Sequence, residues 1–239
     1  NRELQTANSS DRLSTAMRYA QLFCLAIVSA LSASCASAPP KAPPAPEITA
    51  DQKMSWILRM EDQRILRVPA PPSPPVVAPP PKSRRNVPPP PPVVTPDLTK
   101  LVADTDARIR RRAALAIGRA GLPEGGAALL PLLNDADAEV RQMAAFALGL
   151  LADKTAVTAL TTALQDPDAR VRGRAAEALG LIGDTGAAAA VGQMVSGYVK
   201  QGAIATIAPD DEQFPKTPEA DAVRLGVFAL VRLRAYEAL

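Results

Sequence analysis

The chain has 239 residues, of which 47% are hydrophobic but only 3% aromatic, and 27 Lys plus Arg stand against 24 Asp plus Glu for a formal charge of +3. It has no histidine, and its two cysteines are Cys24 and Cys35. Ser-His-Asp and Cys-His catalytic sites and imidazole metal sites are thereby excluded, and two thiols cannot supply a four-thiolate cluster. No catalytic, cofactor-binding or metal-binding residue is assigned, and no cofactor is expected.

Residues 1–38 read as an upstream segment and a signal peptide. Met17-Arg18-Tyr19 is the expected true start, because it sets a short basic region before the apolar run from Leu22 to Leu31. That run is about half of the roughly 20 residues a helix needs to cross a bilayer, so no permanent span is expected. Leu31-Ser-Ala-Ser-Cys35 resembles a bacterial lipobox, with Ser32 where that motif usually has Leu. Three outcomes stay open: lipidation of Cys35, ordinary cleavage around Ser34-Cys35-Ala36, and an unprocessed leader. The first two imply export, to the periplasm or to the outer membrane as a lipoprotein, with no disulfide in the mature chain.

Residues 39–96 hold 19 of the 25 prolines. This composition predicts a disordered, polyproline II-like linker that gains about 3.1 Å per residue and spaces the folded part from a membrane. One helix is expected within it, over residues 50–67. Thr49-Ala-Asp-Gln52 is a capping box, and Met54, Ile57, Leu58, Ile65 and Leu66 recur at helical spacing. The only tryptophan, Trp56, marks this helix as one that docks, either on the chain's own array or on another protein.

From residue 97 the chain repeats itself. Asp104-Thr-Asp-Ala-Arg-Ile-Arg110, Asp135-Ala-Asp-Ala-Glu-Val-Arg141 and Asp166-Pro-Asp-Ala-Arg-Val-Arg172 follow at a 31-residue period, and Gly118, Gly149 and Gly180 keep it. Each unit shows two helical phases. Val140, Ala144, Ala147, Leu148 and Leu151 trace a first helix, and Leu160, Ala163 and Leu164 a second. Leu98, Leu101 and Val102 share the second phase, so the array is expected to open on half a repeat. One helical pair cannot bury both faces, so stability must come from stacking.

The unit resembles the short HEAT-like repeat found in phycobilisome-lyase-type proteins, with D-x-D-x-x-V-R followed by A-A-x-A-L-G. The resemblance covers residues 97–195 and returns more weakly in Asp221-Ala-Val-Arg224 and Phe228-Ala-Leu230, after an insertion near residues 197–218. It implies an all-α fold, an α-solenoid of HEAT-like helical pairs over residues 97–239, preceded by the signal peptide and the proline-rich linker. Because the chain begins with Asn and its last residues run helical, the array is expected to be truncated at the C-terminus and the chain to be a fragment.

Asp106, Asp137 and Asp168 stand where first helices begin and are expected to cap them. Arg110, Arg141 and Arg172 oppose the helix dipole, so each is expected to meet an Asp of its own or an adjacent repeat, forming a ladder along the stack. Thr155, Thr158, Thr161, Thr162 and Gln165 give the middle repeat a polar second helix, the expected partner-binding face on a concave surface. Residues 98–195 carry 11 basic and 11 acidic side chains, so no nucleic-acid partner is expected. The chain reads as an exported, membrane-anchored protein–protein interaction scaffold whose partners are another protein and, through Cys35, the membrane. The alternative is the repeat region of a larger exported enzyme, such as a cyclophilin-type peptidyl-prolyl isomerase with its catalytic domain beyond Leu239. The repeat subtype also implies a third function, a bilin lyase-like activity.

Overall fold

The computed structural model describes residues 47–72, 94–205, 207–208, 212 and 216–238. The expected signal peptide, Cys35 and the proline-rich stretch from residue 73 to 93 lie outside them. Nine α-helices are present among the described residues: α1 (Ala50–Gln63), α2 (Leu98–Leu101), α3 (Ala107–Ala120), α4 (Gly126–Leu129), α5 (Ala138–Leu150), α6 (Val157–Ala163), α7 (Ala169–Ile182), α8 (Ala188–Lys200) and α9 (Pro218–Leu233). A 3-10 stretch, Leu130–Asn134, extends α4. The only extended pairing among the described residues is an isolated bridge between Arg67 and Asp97.

The helices stack in two rows. In the first row α1, α3, α5, α7 and α9 each pack on the next. The second row consists of α2, the α4 segment, α6 and α8. Ile109, Ala113, Ala116 and Ile117 are buried on α3, and their period mates Val140, Ala144, Ala147 and Leu148, then Val171, Ala175, Ala178 and Leu179, are buried on α5 and α7. Small residues set how close the first row can pack. A Cβ at Gly118 would lie 2.7 Å from the Ala147 Cα, one at Gly149 2.7 Å from the Ala178 Cα, and one at Gly180 2.6 Å from the Ala229 Cα. Each first helix of the three matching units is followed by one left-handed residue: Gly121 at φ 64°, Ala152 at φ 50° and Gly183 at φ 78°. Glycine adopts that conformation without a Cβ clash, and the middle unit tolerates alanine there.

The first row does not begin at α3. Ile57 and Met60 on α1 are fully buried, and α1 packs on α3 as α3 packs on α5. Thr49 caps α1 through the reciprocal pair of bonds with Gln52, at 3.2 and 3.0 Å. The helix ends at Gln63, short of residue 67, because Arg64 turns left-handed at φ 53° and its N–H donates to the Glu61 and Met60 carbonyls. The following residues then meet the start of α2. Leu98 N–H donates to the Leu66 carbonyl at 2.7 Å, and Val68 N–H to the Pro96 carbonyl at 2.9 Å. The expectation of an opening half repeat is therefore corrected. α1 and α2 are the two helices of a further repeat, and the described residues after α1 and before α2 are joined by these two bonds.

α9 closes the described first row. Ala222, Ala229 and Leu230 are buried, and Gly180 meets Ala229, 49 residues on, where Gly118 meets Ala147, 29 residues on. This register shifts the Asp221-Ala-Val-Arg224 match by one position. Ala222, rather than Val223, takes the place of Val171, and Arg224 is exposed and pairs with Asp221 on its own helix at 3.2 Å. Burial of the small residues, which lets α9 approach α7, outweighs the local likeness of that tetrapeptide.

Candidate interaction surface

The three predicted caps accept backbone N–H groups at the first-row N-termini. Asp106 accepts from Arg108 at 2.9 Å, Asp137 from Glu139 at 2.8 Å, and Asp168 from Arg170 at 2.8 Å. The Arg108 guanidinium and N–H together hold the Asp106 carboxyl down at about 2. The carboxylates that meet the ladder arginines lie two residues earlier. Arg110 donates through Nε and Nη2 to the two Asp135 oxygens at 2.8 Å each, and Arg141 to the two Asp166 oxygens at 2.8 and 2.9 Å. These are bidentate, charge-assisted bonds, the strong kind. Each Nη1 also donates to the carbonyls of its own turn, Asp104 and Thr105 for Arg110 and Asp135 and Ala136 for Arg141. That reach back out of the first turn is how a cation is accommodated at the positive end of a helix. At the N-terminal end Lys53 replaces the arginine, with Nζ 2.6 Å from Asp104 Oδ2. Glu61 of α1 pairs with Arg112 of α3 and lies 3.8 Å from Arg119.

Arg172 departs from this pattern. Twenty-five residues beyond Arg110 and Arg141 stand Asp135 and Asp166, whereas the same step from Arg172 reaches Gly197. Its Nε donates instead to the Tyr198 hydroxyl, and its guanidinium stacks over the Tyr198 ring at 5.0 Å. Tyr198 is 6% exposed, and burial raises its phenol further above the ordinary tyrosine value despite the adjacent cation. No sequence signal pointed to Tyr198 as the partner. The missing acid at position 197 was visible in the repeat and is the sign that something else had to meet Arg172.

The predicted threonine face is placed partly in use and partly open. Thr155 belongs to the turn before α6, its N–H and hydroxyl both donating to Asp153. Thr161 is half-buried and donates to the Val157 carbonyl, and Thr162 is exposed and donates to the Thr158 carbonyl, at 2.9 and 3.1 Å. These hydroxyls are spent on their own helix and show mainly methyls and lone pairs outward. Thr162 and Gln165 line a cavity of about 450 Å³ floored by Leu133 and Ala163. Gln165 also rims a second cavity of about 210 Å³, whose walls include Leu164, Arg172, Gln193, Met194 and Tyr198. The two cavities share that side chain, so the exposed surface continues from Thr162 on α6 to Gln193 on α8. Sequence patterning missed Gln193 as part of it.

Among the described residues no cluster of His, Cys, Asp and Glu could hold a metal ion, and no helix is long and apolar enough to cross a membrane. Cys35, the candidate lipidation site, lies outside the described residues.

A family model of HEAT repeats matches residues 126–208, and one of the PBS lyase HEAT-like repeat matches residues 109–135. No curated protein matches the chain in sequence. Among solved structures, the complex of CpcE and CpcF of phycocyanin lyase from Nostoc sp. PCC7120 is similar with 28% identity and a TM-score of 0.50, over 65% of this chain and 60% of that one. The chain thus spans about three-fifths of the length of that lyase chain. An engineered protein from the Northeast Structural Genomics Consortium is 24% identical over 58% of this chain and 61% of its own, with a TM-score of 0.38. The fold is an α-solenoid of HEAT-like repeats.

Proposed function

We propose that this chain is a protein–protein interaction scaffold, exported and held at a membrane through Cys35, whose second helical row receives another protein. What carries the scaffold reading is the contrast between the two rows. Lys53, Arg110 and Arg141 are answered by carboxylates inside the stack. The second row instead shows the exposed polar side chains of Thr162, Gln165 and Gln193 around two adjoining cavities. A repeat array works in this way, by offering an extended surface whose shape its stacking sets. Export rests on the leader sequence alone.

The likeness to the CpcE–CpcF complex supports a second reading, in which the chain is a lyase-like subunit that pairs with another HEAT-type chain. A photo-crosslinking residue placed at Gln165 of the full chain, with one at Leu150 on α5 for comparison, separates the two. The scaffold reading expects one discrete adduct from Gln165 and none from Leu150, in an envelope fraction that takes up labelled palmitate and loses it in Cys35→Ser. An adduct with a second HEAT-type chain in a soluble, unlabelled fraction would establish the lyase-like reading. Equal adducts from both positions would refute the assignment of the surface.

A further inference from the structure

We propose that Arg172 forms a receptor for a carboxylate carried by the partner polypeptide, filling the rung that the chain's own ladder leaves out at Gly197. The inference rests on the scaffold reading and adds the chemistry of the partner. In two preceding repeats the same guanidinium fork closes on both oxygens of one carboxylate, at 2.8 to 2.9 Å. In the third, the period puts a glycine where the acid should be. Tyr198 engages only Nε, and neither Nη1 nor Nη2 of Arg172 meets an acceptor among the described residues, although Nη1 of Arg110 and of Arg141 each bonds two carbonyls.

The nearby acids are otherwise engaged or not paired with it. Asp168 caps α7 and pairs with Arg170 at 3.3 Å, and Glu219 acts on Tyr198 only through space. The Tyr198 hydroxyl accepts from Nε and keeps its own proton for donation. Both groups line the cavity of about 210 Å³, with the Gln165, Gln193 and Gln201 amides around it and Leu164 and Met194 as apolar wall. That volume suits a carboxylate with a few methylenes, such as an acidic side chain or a chain terminus. The guanidinium, held by the Tyr198 hydroxyl at Nε and lying 5.0 Å over the ring centroid, leaves Nη1 and Nη2 for planar, bidentate recognition of a carboxylate.

The test follows the arginine Nε–H resonances of the full chain by NMR, with Arg110 and Arg141 as filled references and exposed Arg59 as the nonspecific one. The probes are an end-blocked peptide containing Glu and a Gln peptide with a free C-terminal carboxylate, at constant ionic strength. The expected result is a saturable shift at Arg172 with either probe, while Arg110 and Arg141 stay still; the probe that works identifies a side chain or a terminus as the source. Arg172→Lys, which keeps the charge and loses the fork, should weaken binding at least about tenfold. Gly197→Asp should restore the missing rung, move the Arg172 resonance toward those of Arg110 and Arg141, and abolish the response. A Cβ at Gly197 meets nothing within 4 Å, so that variant has room to fold.

The proposal is overturned if Arg172 responds linearly like Arg59. It is equally overturned if Arg172 already resembles Arg110 before any addition, which would show a carboxylate of the chain itself in place. A saturable titration with no Gln165 adduct would remove the scaffold reading and leave the site. The converse would do the opposite.

Discussion

Alanine at Gly149 should loosen the first row, although alanine is the better helix former. The new Cβ would lie 2.7 Å from the Ala178 Cα and 2.9 Å from its Cβ, where carbon atoms at rest keep about 3.5–4.0 Å. Neither atom ends a flexible side chain, so α5 and α7 must part by about 1 Å at that point. Overpacking of this kind costs about 1–3 kcal/mol, against a gain of about 1 kcal/mol for replacing glycine in a helix. The net expectation is a loss of up to about 2 kcal/mol, or a melting point lowered by up to about 8 °C for a chain of this size. Gly197 on α8 is the control, since a Cβ there meets nothing within 4 Å and only the propensity gain remains. Urea unfolding of the full chain, read by far-UV circular dichroism and by Trp56 fluorescence, checks both variants; two probes are needed because a repeat array can unfold in parts. If Gly149→Ala stabilises as Gly197→Ala does, close approach at the glycines is not what sets the stack.

Met60→Ala empties a fully buried site on the outermost described first-row helix, at a cost of about 2–5 kcal/mol. The Trp56 transition should then fall at lower urea than the circular dichroism transition; a joint shift of both would refute independent docking of α1. Acid should destabilise the stack. The carboxyls of Asp104, Asp106, Asp135 and Asp168 are all held below the ordinary 3.8. A depressed folded-state pKa adds stability that is present above 3.8 and is lost as the pH falls, for Asp106 toward about 2. Urea midpoints at pH 5, 3.5 and 2 should decline in that order, and a flat series would contradict the ladder's role.

The repeat was legible because stacking makes the same demands on each unit. Asp caps, Arg forks and Gly at the close approach recur at one spacing, since each unit faces the same neighbours on both sides. α1 escaped this pattern for a physical reason. As the outermost described first-row helix it meets only α3 within its row, so Ile57 and Met60 replace the small residues of a two-sided helix, and Lys53 stands in for arginine. The intervening prolines also stretch the step from rung cation to carboxylate from 25 residues to 51. α9 was found but misaligned, because Asp221-Ala-Val-Arg224 imitates the motif while the phase of Ala222, Gly226 and Ala229 sets the true register. The Arg172 cavity was not legible as a site. An aromatic residue one step beyond the expected acid gives no periodic signal, and only the packing shows what it does.

The pairing of Leu66 with Leu98 and of Val68 with Pro96 makes the first repeat a natural place to graft foreign sequence. A flexible segment joining those ends costs the array loop-closure entropy, which rises by only about 0.6 kcal/mol for each doubling of length. An entire folded domain with adjacent termini could be spliced between Pro72 and Val94 without moving α1 or α2, whereas a single added residue inside α3 would rotate the rest of that helix by about 100° and turn its buried face out of the stack.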